Sequence, residues 1–250
     1  MNLLTAENLS KSYNTDKILF DNISLGINEG DKIGLIGING TGKSTLLKIL
    51  AGEEEADSGK LTKGNAVRIA YLPQNPEFDE GESVISEVIK GKKAKNEFWD
   101  IEGEARSLLA KFEIEDVEAK VGTLSGGQKK RAALVRTLLD DAEILILDEP
   151  TNHLDTAMSE WLEDYLKKMK QALLIITHDR YFLDQVTNKI VELTHGKLYS
   201  YVGGYLKYLE LKAEREEMEI ATERKNAALF KKDLAWMMRG ARARSTKQKA

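Results

Sequence analysis

Cysteine is absent from the 250 residues, which excludes disulfides, thiolate metal sites and a cysteine nucleophile. That absence fits a reducing compartment, and a cytoplasmic location is the expectation. Nor does the chain hold an unbroken apolar run of about 18 residues, so no membrane span is expected. Its start, Met1-Asn2-Leu3-Leu4-Thr5-Ala6-Glu7, lacks the basic opening and long apolar stretch of a signal peptide. Proline occurs only 3 times, never after Tyr205, where glycine is also rare until Gly240. Acidic residues are missing from the very end. The net charge of −4 divides into −9 over residues 1–205 and +5 over 206–250, and Arg239, Arg242, Arg244, Lys247 and Lys249 follow Trp236 with no acid among them. Such asymmetry points to a polyanion partner at the basic end, or else to a solvated tail. With 42% hydrophobic and 31% charged residues, the rest reads as a charged, globular protein.

What is present is organised around Gly37 to Ser44, GINGTGKS, which fits G-x-x-x-x-G-K-[ST]. Lys32-Ile33-Gly34-Leu35-Ile36 before it reads as a buried strand, and Thr45 to Ala51 after it as a helix closed by Gly52. Strand, glycine loop and helix are the context this motif requires. The loop, with Asn39, Gly40, Thr41 and Gly42, can turn backbone N–H groups around phosphate oxygens, and the helix N-terminus adds partial positive charge. Lys43 supplies charge for the outer phosphates and Ser44 a hydroxyl for Mg²⁺.

Residues 3–27 read as three short strands, 3–9, 18–20 and 23–27. Tyr13 falls in a turn between them, either stacking on a nucleotide base or simply half-buried. Strands are expected at 60–62 and 67–72, and Pro73-Gln74-Asn75-Pro76 then forces an extended loop that places Gln74 at a strand end. Residues 82–120 carry helical periodicity, interrupted by Lys90-Gly91-Lys92-Lys93-Ala94-Lys95, which reads as a solvated basic turn. In Leu124-Ser125-Gly126-Gly127-Gln128, Ser125 can cap the following helix, expected over 132–139, and the glycines offer backbone N–H groups. Ile144 to Leu147 is a buried strand ending in Asp148-Glu149, at the carboxyl end where α/β sheets keep their ligands. Asp148 can hold Mg²⁺ and Glu149 can polarise an attacking water. After a helix near 156–170 and a strand near 172–177, His178 can either hydrogen-bond a γ-phosphate or cap the helix 180–186. A closing hairpin follows, then Gly203-Gly204. From Tyr205 onward the spacing predicts one or two long charged helices that need a partner surface.

The loop at 37–44, Gln74, LSGGQ at 124–128, ILILDEP at 144–150 and His178 stand in the order and spacing of ATP-binding cassette ATPases, which the chain resembles. That resemblance implies an α/β P-loop fold: a RecA-like core, an antiparallel β subdomain and a helical subdomain near 77–140. It implies ATP with Mg²⁺, and a set of roles. Tyr13 would stack on adenine, and Gly37, Asn39, Gly40, Thr41, Gly42, Lys43, Ser44 and Thr45 would hold the phosphates. Ser44, Gln74 and Asp148 would serve the metal, Glu149 would be the general base, and Gln74 and His178 would assist at the γ-phosphate. Ser125, Gly126, Gly127 and Gln128 would act in trans, closing over ATP held by a second cassette facing head to tail. Glu149-Pro150-Thr151-Asn152-His153-Leu154-Asp155, with Gly203-Gly204-Tyr205 and the helix ending at 236–249, resembles the ABC-F subfamily more narrowly. This implies a cassette over 1–204 and, over 205–250, a charged helical linker that normally continues past Ala250. It also implies ribosome, rRNA or tRNA as partners. The alternatives are a DNA-acting ABC-F protein of the Uup type and the ATPase subunit of a membrane transporter. One departure is visible: residues 77–123 leave room only for the helical subdomain, so the arm that many relatives insert there is short or missing.

Overall fold

The computed structural model describes the chain except for residues 15–16, 93–99 and 246–250. It divides into two units, Met1–Tyr205 and Leu206–Ala250. In the first, β1 (Asn2–Asn14), β2 (Lys17–Asn28) and β4 (Ser58–Lys63) form an antiparallel sheet in the order β2-β1-β4. A second, six-stranded sheet contains β3 (Lys32–Ile36), β5 (Ile69–Leu72), β6 (Ile144–Asp148), β7 (Ala172–Ile176), β8 (Lys189–Thr194) and β9 (Lys197–Val202). Its order is β5-β6-β7-β3-β8-β9, parallel throughout except for β9.

Near-continuous apolar runs such as Ile144-Leu145-Ile146-Leu147 exist because both faces of this parallel sheet are covered. Side chains alternate between the faces. Leu145, Leu147, Leu173 and Ile175 join one core with α2 (Val84–Ile89), α3 (Ile101–Lys111), α4 (Gly126–Leu138), α5 (Thr156–Lys168) and α6 (Arg180–Val186). Ile144, Ile146, Leu174 and Ile176 join another with α1 (Lys43–Ala51) and the antiparallel sheet. Phe112 and Trp161 meet edge to face at 5.4 Å, and Trp161 stacks on Tyr165 at 5.2 Å, fastening α5 to the residue that ends α3.

Four expectations need correction. Residues 3–27 fall in two long strands of one hairpin, and Tyr13 lies within β1 rather than in a turn. Helix α4 begins at Gly126, six residues before the apolar pattern starts, because Ser125 and Gln128 form a capping box that nucleates the polar first turn. The basic run at 90–95 starts as the expected exposed turn at Lys90-Gly91, but Lys92 departs from it. Lys92, with a side chain only 7% exposed, pairs with Asp140, and Lys90 pairs with buried Glu87. Periodicity could not show Asp140 as a partner because it lies 48 residues away in the chain; Lys93, Ala94 and Lys95 are outside the described residues. Finally, Asp179 and not His178 caps α6, its carboxylate accepting from Phe182 N at 3.0 Å.

The second unit continues α7 (Tyr205–Ser245), a single helix rather than two. Polar pairs one turn apart support it, among them Lys207–Glu210 at 2.8 Å and Arg215–Glu219 at 3.7 Å. Phe230, Trp236, Met237 and Met238 are exposed along it. Of the basic end, Lys247 and Lys249 lie outside the described residues.

Lys32, at the foot of β3, is one of the few buried cations. Its ammonium donates to Met169 O at 3.0 Å and Gln171 O at 2.8 Å, closing the carbonyl end of α5. Burial lowers its pKa to about 8. The unfolded chain therefore binds more protons than the folded one between about pH 8 and 10.5, and stability should rise with pH across that window. Lys32→Met should flatten the slope, removing a dependence of at most ~3 kcal/mol, read from urea midpoints at pH 7.5 and 10.

Candidate functional site

Between β3 and α1 the chain makes a tight glycine loop. Gly37 has φ +157°, and a Cβ there would stand 2.4 Å from Leu193 O. Gly42 has φ +96°, and a Cβ would lie 2.9 Å from Leu19 Cβ, so side chains are excluded at both turning points. Thr41 closes the inner turn, its hydroxyl donating to Ile38 O at 2.8 Å. Gly42 is the N-cap of α1 and makes no side-chain cap bond, which leaves first-turn N–H groups for a ligand. The Lys43 ammonium arches back over the loop, donating to Gly37 O at 2.8 Å and Ile38 O at 3.2 Å. Burial pulls its pKa down, against the opposing fields of Glu149 and Asp148.

Opposite the loop, β6 delivers Asp148 and Glu149. Alternation along the strand turns Asp148 to the α1 side, on the cleft that Ser44 also lines. It is 3% exposed, and burial raises its pKa despite Ser44, Lys43 and Lys48. Glu149 leaves the strand with φ +54°, a left-handed conformation uncommon for a residue with a side chain. Its backbone N–H donates to Ile176 O at 2.9 Å, which fixes the turn to the end of β7. The Glu149 side chain is 8% exposed and its Oε1 lies 3.3 Å from His178 Nε2. Burial raises its pKa first of all; His178 and Lys43 oppose that and Asp148 adds to it.

These groups border one cleft of about 360 Å³, lined by Tyr13, Leu19, Asn39, Gly40, Gly42, Lys43, Ser44, Thr45, Gln74, Asp148, Glu149, Ile176 and His178. Tyr13 stands at its rim, 55% exposed, its hydroxyl 3.0 Å from Thr45 Oγ1. Leu19 and Ile176 are apolar walls that no motif announced. Gly37 and Thr41 shape the loop without lining the cleft. Ser125, Gly126, Gly127 and Gln128 are not on this cleft: they form the first turn of α4, with Ser125 and Gly126 exposed. In the capping box, Ser125 N donates to Gln128 Oε1 at 2.9 Å and Gln128 N to Ser125 Oγ at 3.3 Å. The two glycine N–H groups thus remain at the positive end of a 13-residue helix, outside the lining of the chain's own cleft.

Ser44, Gln74 and Asp148 are hard oxygen donors, and the buried Asp148 Oδ2 has no protein partner. They fit a hard divalent cation such as Mg²⁺. Among the described residues no group of three or more His, Asp or Glu forms a metal cage. A cation here would complete its shell with phosphate and water, as Mg²⁺ commonly does.

Comparison with known proteins supplies the context for this geometry. The ABC transporter family matches residues 20–152, and a second ABC transporter family matches residues 191–250. The ABC transporter ATP-binding protein YfmR of Bacillus subtilis is 44% identical over all of this chain and 45% of its own length. The energy-dependent translational throttle protein EttA is 34% identical in Mycobacterium tuberculosis, over 99% of this chain and 50% of that protein. In Escherichia coli it is 35% identical, over 98% and 51%. The chain therefore spans about half the length of the curated relatives it matches. The alignment with YfmR runs over 286 positions against 250 residues here, so the relative carries additional residues within the matched stretch. Among solved structures, an ATP-binding subunit of an ABC transporter superposes with TM-score 0.70 at 23% identity, over 80% of this chain and 90% of that one. A dimeric ATP-binding cassette in a post-hydrolysis state with ADP and Pi gives 0.68 at 23%, over 80% and 98%. These two show the fold.

Proposed function

Because this chain belongs to the ABC transporter family, as a cassette of its ABC-F branch, we propose that its cleft is half of a composite ATP site and that ATP joins it to a second cassette. One observation carries this reading. The phosphate loop, Gln74, Asp148, Glu149 and His178 converge on one cleft, while Ser125–Gln128 are not part of its lining. A second helix N-terminus that could bind an anion and lies outside the lining of the chain's own cleft suits a nucleotide held by another cassette.

In this reading the first-turn N–H groups of α1 and Lys43 bind the phosphates, and the exposed Tyr13 ring offers a face to adenine. Ser44, Gln74 and Asp148 would hold Mg²⁺, which neutralises charge on the phosphate oxygens when bound. Glu149 accepts the proton of the attacking water; its raised pKa makes it a stronger base than an ordinary carboxylate. His178, whose Nε2 stands 3.3 Å from Glu149 Oε1, borders that carboxylate and presents its ring to the γ-phosphate. Closure by the second cassette excludes water and completes the site, so hydrolysis reopens the pair.

The larger role is a translation factor acting on the ribosome. Support comes from relatives named as translational throttle proteins and from the +5 charge of residues 206–250, suited to RNA phosphates through counterion release. The DNA-acting reading shares that charge. The transporter-subunit reading is disfavoured by α7, a long charged helix after the cassette, and no described helix is long and apolar enough to cross a membrane. The test is cosedimentation with ribosomes of a two-cassette polypeptide containing this chain and locked in its ATP state by Glu149→Gln. Association that requires ATP and weakens with salt is expected. Equal pelleting with and without ATP, or ATP-dependent binding to duplex DNA alone, contradicts the ribosomal role and leaves the composite site untouched.

A further inference from the structure

Glu149 borders a second space besides the open cleft. A void of about 10 Å³ lies between the Pro73-Gln74 loop, α4 and the end of β6, with Gln74, Arg131, Asp148, Glu149 and Asn152 on its walls. That is room for one water molecule and no more. Three polar atoms of these walls are buried and have no protein partner: Arg131 Nε, Asp148 Oδ2 and Glu149 Oε2. Leaving a guanidinium N–H and two carboxylate oxygens so exposes the fold to the full cost of their desolvation. One donor and two acceptors are also the complement of a single water, which accepts one hydrogen bond and donates two.

We propose that a water fills this void, accepting from Arg131 Nε and donating to Asp148 Oδ2 and Glu149 Oε2, and that Arg131 is a positioning residue for the Glu149 carboxylate. The Glu149 side chain then has its Oε2 held by the water on the inner side, while Oε1 stands 3.3 Å from His178 Nε2 on the cleft side. The charged groups around that carboxylate are His178 after β7, Asp148 on β6, Lys43 on α1, and Lys130 and Arg131 on α4.

Arg131 also stands on the helix whose first turn is Ser125–Gln128. Its Nη1 donates to His153 O at 3.5 Å, and a Cβ on Gly127 would lie 3.6 Å from His153 Cβ. The signature turn, the 149–153 segment and the general base are therefore packed as one unit. Contact of Ser125–Gln128 with a nucleotide on the second cassette reaches this chain's own Glu149 through α4 and the water. The two composite sites are thereby coupled inside each cassette. This rests on the reading of Glu149 as base and Ser125–Gln128 as trans element.

The test combines Arg131→Met and Arg131→Lys with Glu149→Gln in a double-mutant cycle on ATP turnover, alongside a crystal structure of the unaltered chain. Arg131→Met should lower kcat by about 10- to 100-fold with little change in KM for ATP. Arg131→Lys should recover part of that, since an ammonium can still donate to the water. On a Glu149→Gln background Arg131→Met should cost nothing further, because the group it holds no longer acts as base. Electron density should show a water within hydrogen-bonding distance of both Arg131 Nε and Glu149 Oε2. Fully multiplying losses, or an empty void in well-ordered density, overturn the proposal. If Arg131→Met fails to fold, the cycle with Arg131→Lys decides on the same terms. An unchanged rate for Glu149→Gln alone would instead count against Glu149 as the base, a failure that leaves the density result to judge the Arg131 link.

Discussion

Replacing Glu149 with glutamine should lower ATP turnover by about 10²- to 10⁴-fold while preserving ATP binding. The amide keeps the shape of the side chain and its place beside His178, 3.3 Å away in the native chain. What it loses is the ability to take a proton. It also loses a negative charge beside Asp148, and both would face a tetraanionic nucleotide. ATP affinity should therefore rise, and the ATP-bound pair of cassettes should accumulate. The backbone contributes as well, because φ of +54° at Glu149 is held by its bond to Ile176 O, and a glutamine tolerates it no worse. Burial holds the Glu149 carboxyl above the ordinary carboxylate range, so the native rate should fall on acidification earlier than an exposed glutamate would allow. The sign follows from the role: the base must be ionised, and each decade of acidity below its pKa costs about tenfold in rate. Stopped-flow turnover across pH, with nucleotide binding followed by fluorescence, checks both parts. Equal turnover in the two proteins would remove Glu149 from the mechanism.

Gly127→Asp should abolish hydrolysis without disturbing the chain's own cleft. The expectation depends on geometry that motif reading alone does not supply. Gly127 lies in the first turn of α4 with ordinary backbone angles, and an added Cβ would meet nothing nearer than His153 Cβ at 3.6 Å, an ordinary contact. An acid at a helix N-terminus stabilises it by about 0.3–1 kcal/mol, so the fold should tolerate the change and melt no lower. Placed against a phosphate of the second cassette's nucleotide, however, the same carboxylate brings like charge where two backbone N–H groups are needed. Turnover should fall by at least about 10²-fold, comparable to loss of an oxyanion-type donor. Nucleotide affinity of the isolated cassette should stay unchanged. Weakened ATP binding in cis, with the melting temperature kept, would place Ser125–Gln128 on the chain's own nucleotide and contradict the composite site.

The parts of the site that lie within one continuous motif were legible in the sequence. Gly37 to Ser44 forms the expected strand, loop and helix, and ILILDE forms the expected buried strand with its acids at the carboxyl end. Local chemistry governs those segments, since glycine at Gly42 and alternation along β6 leave few other conformations. What the sequence withheld depends on residues far apart in the chain. The capping box at Ser125–Gln128 is the local exception, overriding the weak helical pattern of Gly126 to Arg131. Lys92 looked solvated because its partner, Asp140, is 48 residues away. Arg131 gave no local sign of function, being one basic residue in a basic stretch, until packing brought it to the wall of a void that Glu149 also lines. The signal that could have found it is its place about one turn beyond Gly127, on the same face of an otherwise polar helical start.

The claim that the cleft is completed by another cassette is tested most directly by mixing two inactive chains. Lys43→Met removes the phosphate-binding charge from one, and Gly127→Asp removes the trans turn from the other. A head-to-tail pair formed from one of each contains one ruined site, and one intact site made of native Lys43 and native Gly127. Neither variant alone should hydrolyse ATP, and mixing should restore up to about one quarter of the native rate with random pairing. That activity should rise steeply with protein concentration. Silence on mixing, with the unaltered chain active under the same conditions, would contradict the account.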